Sequence, residues 1–135
     1  MTFLLTKKFL HGRILDFGCG KGEDFLHLKK MGFNVSMFDP YWAPKIPDGL
    51  FDVITCHYVL NVLYPEERIS VLESISQLLT EEGTAYISVR RDIKEPTISK
   101  TGTFQDYVIL DYPSIFRNKK FEIYKLTKTL WEQKK

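Results

Sequence analysis

The sequence predicts an α/β protein with a mostly parallel sheet, because two kinds of segment alternate along the chain. Apolar runs typical of buried strands lie at 13–17, 34–38 and 51–56. Between the first two runs, residues 23–31 carry apolar side chains at helical spacing and Gly32 stops the helix. A strand, a helix and a further strand in succession are typical of parallel sheets.

The remaining sequence continues this alternation and ends in two strands close together in the chain. Pro65 suits the first turn of a helix, and apolar residues then recur at helical spacing. The predicted elements are a helix from Pro65 that ends before Gly83, a strand at 84–89, a polar loop at 90–102, and β-rich runs at 103–110 and 121–127 joined by a connection at 111–120. Because the last two runs are closely linked, we expect them to pair antiparallel.

Length and composition indicate one domain that spans residues 1–135. The chain is 44% hydrophobic and 27% charged, and no stretch approaches the ~18 apolar residues of a membrane span. The lysines near the N-terminus follow a very short apolar stretch, which is the wrong order for a secretory signal. Cys19 and Cys56 are too few for a disulfide framework, and no Cys/His cluster has metal-ligand spacing. We therefore expect a cytoplasmic protein with no membrane segment and no metal.

The first predicted strand runs into three glycines at alternate positions, Gly18, Gly20 and Gly22, and a helix begins at Glu23. Glycine lets the backbone approach a ligand closely, and a helix N-terminus offers unpaired N–H groups. Asp16 lies two residues before the first glycine, and the spacing differs from that of dinucleotide-binding proteins. The arrangement predicts a nucleotide-sized binding site; a tight strand-to-helix connection is the structural alternative.

This pattern, Asp-x-Gly-x-Gly-x-Gly after a strand, resembles the first motif of the class I S-adenosylmethionine-dependent methyltransferases. The segment 51–63, which opens with Phe-Asp-Val, resembles the fourth-strand motif of the same family. The resemblance covers nearly the whole chain. It implies a Rossmann-like three-layer sandwich, S-adenosylmethionine as cofactor, and methyl transfer to an acceptor that the sequence does not identify.

The family sheet has seven strands in the order 3-2-1-4-5-7-6. In this sequence, a short proline-containing segment separates the second predicted strand from the strand that follows. That segment cannot hold both a strand and a crossover helix. We therefore expect a minimal methyltransferase core of about six strands in the order 2-1-4-5-7-6, with the last pair antiparallel and the family's third strand missing.

The resemblance also assigns residues to the cofactor. The glycines would approach its methionine portion, Asp16 would orient its amino group, and Asp39 would accept hydrogen bonds from the ribose hydroxyls. A structural Asp-Pro turn at the strand end is the alternative for Asp39. The expected cofactor-binding residues are Asp16, Gly18, Cys19, Gly20, Gly22, Asp39, Pro40 and Cys56.

Two residues at the end of the third predicted strand, His57 and Tyr58, are expected nearest the transferred methyl group. His57 is a candidate general base because its ordinary pKa lies near neutrality. The alternative for His57 is a half-buried ring that is hydrogen-bonded to a neighbouring carbonyl. Methyl transfer often needs little beyond positioning of the acceptor.

The substrate is expected to contact Asn61, Arg90 and Arg91. The two arginines follow a predicted strand, at the same edge of the sheet as the expected cofactor site. There they could hold a phosphate or a carboxylate. The alternative is an exposed loop in which they pair with Asp92 and Glu95.

Three segments, 58–63, 65–68 and 88–92, are similar to those of a bacterial group of methyltransferases associated with DNA phosphorothioation. A function of a different class stays open beside methyl transfer: a catalytically weak or inactive cofactor-binding subunit that acts through a partner protein. A nicotinamide dehydrogenase fragment is disfavoured by the glycine spacing.

Few residues precede Arg13, and the predicted loops are short, so we expect a poorly covered active-site edge. A homodimer, a partner subunit or a bulky substrate would cover it. Residues 117–135 carry seven basic and two acidic side chains, a bias that can favour nucleic acid or form a solvated surface.

Overall fold

A six-stranded mixed sheet forms the centre of the structure, a computed structural model that describes residues 1–134. The strands in chain order are β1 (Arg13–Phe17), β2 (Asn34–Phe38), β3 (Phe51–His57), β4 (Leu79–Arg90), β5 (Thr97–Ile98), β6 (Phe104–Gln105), β7 (Ser114–Arg117) and β8 (Phe121–Leu126). The central sheet has the order β2-β1-β3-β4-β8-β7, and β5 and β6 form a separate antiparallel pair.

Helices cover both faces of the sheet. They are α1 (Thr2–Thr6), α2 (Glu23–Lys30), α3 (Pro65–Leu78) and α4 (Lys128–Lys134), with a 3₁₀ turn at Leu60–Val62. Leu4 of α1 and Leu28 of α2 are buried in one apolar cluster, and Leu72 and Ile75 of α3 are buried in the cluster on the other face. None of the helices within residues 1–134 is long and apolar enough to cross a membrane.

The pairing confirms the predicted α/β, Rossmann-like fold. Strands β2, β1, β3 and β4 run parallel, β8 is antiparallel to β4, and β7 is antiparallel to β8. Ile14 of β1 lies in register between Val35 of β2 and Val53 of β3, and all three side chains are buried on the same face. If the strands are matched by their place in the sheet, this is the predicted order without the family's third strand.

The connection from β2 to β3 occupies only residues 39–50 and contains no strand of the sheet. A backbone bridge between Asp39 and Ala43 makes a tight turn at its start. At its end, the Arg13 guanidinium donates hydrogen bonds to the carbonyl oxygens of Asp48 and Leu50. The short connection therefore returns the chain to the beginning of β3 without the usual crossover helix.

The partner of β8 differs from the prediction. The sequence favoured a strand at 103–110, but the paired strand is β7, within the segment predicted as a connection. Phe116 of β7 packs edge-on against Phe3 and stacks on Phe121, with ring centroids 4.6 and 5.4 Å apart. These aromatic contacts fix the strand position because they bury large apolar surface on one face.

Two further boundaries differ from the prediction. Strand β4 begins at Leu79, directly after α3, and the register between β3 and β4 shifts near Gly83. A Cβ at Gly83 would lie 2.9 Å from the Phe51 carbonyl oxygen, so glycine here serves close strand packing. Helix α4 was not predicted; Leu130 and Trp131 pack against the core and order this basic segment.

Arg91 is not available to a substrate, which corrects the prediction for this residue. Its side chain is 1% exposed, and its Nε donates to Glu122 Oε1 at 2.8 Å. Another guanidinium nitrogen donates to the Val108 carbonyl oxygen and to the Tyr124 hydroxyl at 2.7 and 2.8 Å. Arg91 therefore holds the segment after β6 against β8.

We expect Arg91→Ala to lower the free energy of unfolding by about 3–5 kcal/mol, because the buried Glu122 carboxylate loses its buried cation and keeps only the exposed Arg117 guanidinium, 3.6 Å away. Arg90→Ala is the matched control: its neighbouring ion pair with Asp92 is exposed, so the loss should be about 0–1 kcal/mol. Urea unfolding of the two variants measures both changes. Equal losses would show that the buried network does not stabilise the fold.

Candidate functional site

The carboxyl ends of the parallel strands bring most of the predicted site residues to one edge of the sheet. The glycine turn follows β1, Asp39 follows β2, Tyr58 follows β3, and Arg90 ends β4. In sheets of this kind, ligands bind at this edge, where the strand order reverses.

The glycine turn is tied to the end of β2 by its own backbone. The N–H groups of Gly18 and Cys19 both donate to the Phe38 carbonyl oxygen, at 2.7 and 3.0 Å. The Gly20 N–H donates to Asp39 Oδ2 at 2.9 Å, and the Gly22 N–H donates to the Cys19 carbonyl oxygen at 3.0 Å. These four N–H groups are therefore satisfied within the protein.

Two of the glycines are required for different reasons. Both have positive φ angles, 76° at Gly18 and 57° at Gly20. A Cβ at Gly18 would lie 2.4 Å from Val59 Cγ2, so this glycine permits the loop after β3 to approach β1. A Cβ at Gly20 would meet no atom within 4 Å and would project into open space. Gly20 therefore leaves room beside the turn that a ligand can fill.

Asp39 fixes two loops with one carboxylate. While Oδ2 accepts from Gly20, Oδ1 accepts from the backbone N–H groups of Tyr41 and Trp42, at 2.9 and 3.2 Å. Asp39 therefore closes a turn at the end of β2, which is the structural role that the sequence left open as the alternative to ribose binding. The turn leaves the side chains of Tyr41 and Trp42 90% and 61% exposed, and the Lys21 ammonium lies 5.2 Å from the centre of the Trp42 ring.

Carboxylates surround the glycine turn. Burial and the nearby charge of Asp24 together raise the pKa of Asp16 to about 7, although the Thr55 hydroxyl opposes this by donating to Asp16 at 3.3 Å. A cavity of about 300 Å³ outside the turn is lined by Cys19, Lys21, Glu23 and Asp24. With Asp39 on its other side, the turn lies in a negative potential, which favours a cationic ligand group.

An apolar cavity of about 290 Å³ adjoins the same turn. Its lining includes Phe17, Gly18, Phe38, Pro40 and Val59. Pro40 thus lies in the wall of an apolar cavity beside the glycine turn.

Cys56 does not lie in that cavity. Its side chain is completely buried in the core between the sheet and α3, and burial raises the pKa of its thiol. The prediction of a cofactor contact through this side chain is therefore wrong. The strand alternation explains the placement, since Cys56 points to the opposite face from His57.

His57 is held as a neutral ring. Its Nδ1 lies 2.7 Å from the Ser88 hydroxyl, and its Nε2 is buried without a hydrogen-bond partner among the described residues. Burial lowers the pKa of His57 to about 3. A group with so low a pKa is a weak general base, so the structure supports the structural alternative, with a hydroxyl in place of the expected carbonyl.

Tyr58 has a strained backbone at the centre of the edge. Its φ is 59°, a left-handed conformation that is uncommon outside glycine and that clusters at functional sites. The N–H of Tyr58 donates to the Ser88 carbonyl oxygen at 2.9 Å, and its ring packs edge-on against Phe121. The ring remains 44% exposed. Burial, together with the charges of Asp24 and Asp92, raises the pKa of the Tyr58 hydroxyl, which keeps its proton.

A second polar cavity, of about 390 Å³, begins at Tyr58. Its lining is Tyr58, Asn61, Val62, Arg90, Asp92, Gln105 and Lys120. The predicted substrate residues Asn61 and Arg90 are therefore brought together, whereas Arg91 is excluded. Gln105 and Lys120 were not predicted, because β6 and the turn between β7 and β8 reach this edge only in the folded chain. No group of three or more potential metal ligands occurs within residues 1–134.

Comparison with known proteins identifies the family. Residues 1–120 match a family model described as a methyltransferase domain. The chain belongs to this methyltransferase family. A search of curated protein sequences found no match. The resemblance to methyltransferases associated with DNA phosphorothioation stays a prediction.

Solved methyltransferases share the fold. The 1,6-didemethyltoxoflavin-N1-methyltransferase of Burkholderia thailandensis, solved with bound 1,6-didemethyltoxoflavin and S-adenosylhomocysteine, is 16% identical, with a TM-score of 0.69 over 92% of this chain and 74% of that chain. A TehB-like SAM-dependent methyltransferase of Corynebacterium glutamicum is 19% identical, with a TM-score of 0.61 over 92% and 85%. DhpI, in a complex with SAM and HEP, is 12% identical, with a TM-score of 0.58 over 92% and 84%.

We expect the burial of His57 to make the fold sensitive to mild acid. Because its pKa is about 3 in the folded protein and about 6.5 when unfolded, its contribution is complete above pH 6.5 and is lost as the pH falls toward 3. Within that window, wild type should lose up to about 1.4 kcal/mol of stability per pH unit relative to His57→Gln.

Urea unfolding at several pH values measures this difference. His27→Gln, which changes an exposed histidine, is the control and should follow the wild-type pH dependence. Parallel curves for wild type and His57→Gln would contradict the assignment of a buried neutral ring.

Proposed function

We propose that this methyltransferase domain binds S-adenosylmethionine at the glycine turn and transfers its methyl group to a small-molecule acceptor. One observation carries the proposal. The N–H groups of the glycine turn already donate to acceptors within the protein, and the turn lies among the carboxylates of Asp16, Asp24 and Asp39. Such a site suits a ligand with positive charge, and S-adenosylmethionine carries an ammonium and a sulfonium.

The same observation disfavours a nicotinamide dinucleotide. A dinucleotide site presents free backbone N–H groups to the pyrophosphate at the glycine turn. Here the N–H groups of Gly18, Cys19 and Gly20 are already bonded, and the acidic side chains of Glu23 and Asp24 follow at the start of α2. A pyrophosphate at this position would meet repulsion and few donors.

The residues at the edge fit the parts of the cofactor. Open space at Gly20 admits the chain of the methionine portion. The apolar cavity beside Pro40, Phe38 and Val59 has the size and surface for a purine ring. Asp39 lies between these two places, where a lone pair of its carboxylate can accept a hydrogen bond from a ribose hydroxyl.

When bound, the cofactor supplies an electrophilic methyl group on sulfur. The protein's contribution is positioning, because an already nucleophilic acceptor requires mainly in-line alignment. Tyr58, whose strained backbone projects its ring from the edge, is the residue we place against the acceptor. The neutral His57 ring, which is hydrogen-bonded to Ser88, lies 6.2 Å from the Tyr58 ring.

A catalytically weak subunit that acts through a partner is the alternative function. Incubation of the protein with methyl-labelled cofactor and a small-molecule cell extract distinguishes the two, because an active enzyme transfers label to a soluble product. A homodimer or partner subunit, a nucleic-acid partner and a cytoplasmic location stay predictions.

Isothermal titration calorimetry tests the cofactor site. We expect S-adenosylhomocysteine to bind with roughly micromolar affinity and NAD to give no measurable heat. Gly20→Val should abolish binding of S-adenosylhomocysteine, because the branched side chain fills the open space beside the turn.

Gly32→Val is the matched control for this variant. Gly32 also has a positive φ, 92°, and a Cβ there would also meet nothing within 4 Å, so valine is strained by the backbone alone at both positions. Thermal unfolding should show comparable losses of stability, and only Gly20→Val should lose the cofactor. Wild-type affinity in Gly20→Val would contradict the location of the site.

Variants of Asp39 distinguish a hydrogen bond to the ribose from the role of this residue in holding the two loops. We expect Asp39→Ala to weaken binding of S-adenosylhomocysteine by about 1–3 kcal/mol, the range for a lost hydrogen bond to a charged group. Asp39→Glu should lose less. Removing the ribose 2′-hydroxyl should weaken binding to wild type, and it should have little further effect on Asp39→Ala.

Calorimetry with S-adenosylhomocysteine and its 2′-deoxy analogue completes this double cycle. Additive losses would show that Asp39 only holds the two loops together.

A further inference from the structure

The cavity of about 390 Å³ beyond Tyr58 is the candidate site for the methyl acceptor. This volume lies in the range of small-molecule sites. The cavity is bounded by the end of β4, by β6, and by the turn between β7 and β8. An inference about its ligand rests on the proposed function, because the cavity adjoins the cofactor edge.

Cations dominate the charged groups of this cavity. They are Arg90 and Lys120, against the single carboxylate of Asp92. Asp92 accepts from Nε and one terminal nitrogen of Arg90, at 2.9 and 2.6 Å, so the guanidinium keeps a further terminal nitrogen for another acceptor. The structure thus holds Arg90 in a fixed orientation at the cavity wall.

Lys120 is the second cation in the cavity lining, and hydrogen bonds hold its backbone in place. Its N–H donates to Asn118 Oδ1 at 2.8 Å, and its carbonyl oxygen accepts from the Arg91 N–H at 2.8 Å. Its ammonium makes no ion pair with a residue of the described chain. The anchored backbone and the unpaired ammonium suit a site that receives its anion from a ligand.

A buried amide gives an independent sign of a ligand. Asn61 is 1% exposed, and its Nδ2 donates to Gln105 Oε1 at 2.9 Å. Its Oδ1 is buried and has no hydrogen-bond partner among the described residues. Buried polar atoms are rarely left unpaired, and each exception calls for an explanation. A ligand O–H or N–H at this end of the cavity would satisfy the oxygen.

The charges of the two neighbouring sites are opposite. Acidic side chains surround the glycine turn, whereas Arg90 and Lys120 border the cavity on the other side of Tyr58. A cationic cofactor and an anionic acceptor would therefore each meet complementary charge. The same arrangement would disfavour the binding of either molecule in the place of the other.

We propose that this cavity binds the methyl acceptor as a small anion, a molecule whose carboxylate or phosphate group is held by Lys120 and Arg90 and whose O–H or N–H donor is held by Asn61.

Two anionic probes test the proposal: benzoate and inorganic phosphate, each titrated into the protein with saturating S-adenosylhomocysteine and followed by amide NMR shifts. We expect saturable binding of at least one probe, with shifts at Tyr58, Asn61 and Arg90. The probe that binds identifies the anionic group. Benzylammonium, which has the same ring and the opposite charge, should not bind.

Matched variants locate the interaction. Lys120→Gln should weaken binding of the probe roughly tenfold, the effect of one lost charge-assisted hydrogen bond. Lys119→Gln, a change of the neighbouring lysine outside the cavity lining, should leave the affinity within about twofold. Asp92→Asn should tighten binding, because it removes the carboxylate that repels the anion and occupies Arg90.

The outcomes separate this inference from the proposed function. If S-adenosylhomocysteine binds and neither anion does, or if Lys120→Gln behaves like Lys119→Gln, the anionic acceptor is wrong and the cofactor site stands. If S-adenosylhomocysteine does not bind, the proposed function fails, and the same anion titrations on the protein alone still decide whether this cavity is an anion site.

Discussion

The carboxylate of Asp39 is the contact on which the binding edge depends. One oxygen holds the glycine turn through Gly20, and the other holds the following loop through Tyr41 and Trp42. Because the connection to β3 is only 39–50, there is no crossover helix to support these loops from the side. Side-chain acceptors replace it. A carboxylate with several lone pairs can satisfy three N–H groups and still accept from a ligand.

The hydrogen bonds of the glycine turn decide what kind of ligand suits it. The N–H groups of the turn are hydrogen-bonded to Phe38 and Asp39. The turn therefore offers little positive partial charge to a ligand, although it precedes the N-terminus of a helix. The carboxylates then set the sign of the potential, and burial leaves Asp16 poorly compensated, which is why its pKa rises to about 7. Glycine spacing alone does not carry this information, since the same residues with free N–H groups would favour an anion.

The sequence predicted those parts of the fold that are fixed by neighbours along the chain or in the adjacent strand. Strands β1 and β2, the glycine turn and the position of Asp39 belong to this group. The location of β7 could not be predicted, because Phe116 is placed by Phe3 at the other end of the chain. Arg90 and Arg91 are adjacent and chemically identical, so only the buried position of Glu122 decides which one faces the cavity.

Arg91 connects the core to the site without touching a ligand. Its backbone N–H binds the carbonyl oxygen of Lys120, and its guanidinium binds the carbonyl oxygen of Val108. The ion pair with Glu122 therefore fixes both the turn that carries Lys120 and the segment that follows Gln105. A buried ion pair is weak evidence for stability, since a well-packed apolar substitute can stabilise as much. What an apolar side chain could not supply here is the set of directed hydrogen bonds to two separate backbone segments, and those bonds define the far wall of the cavity.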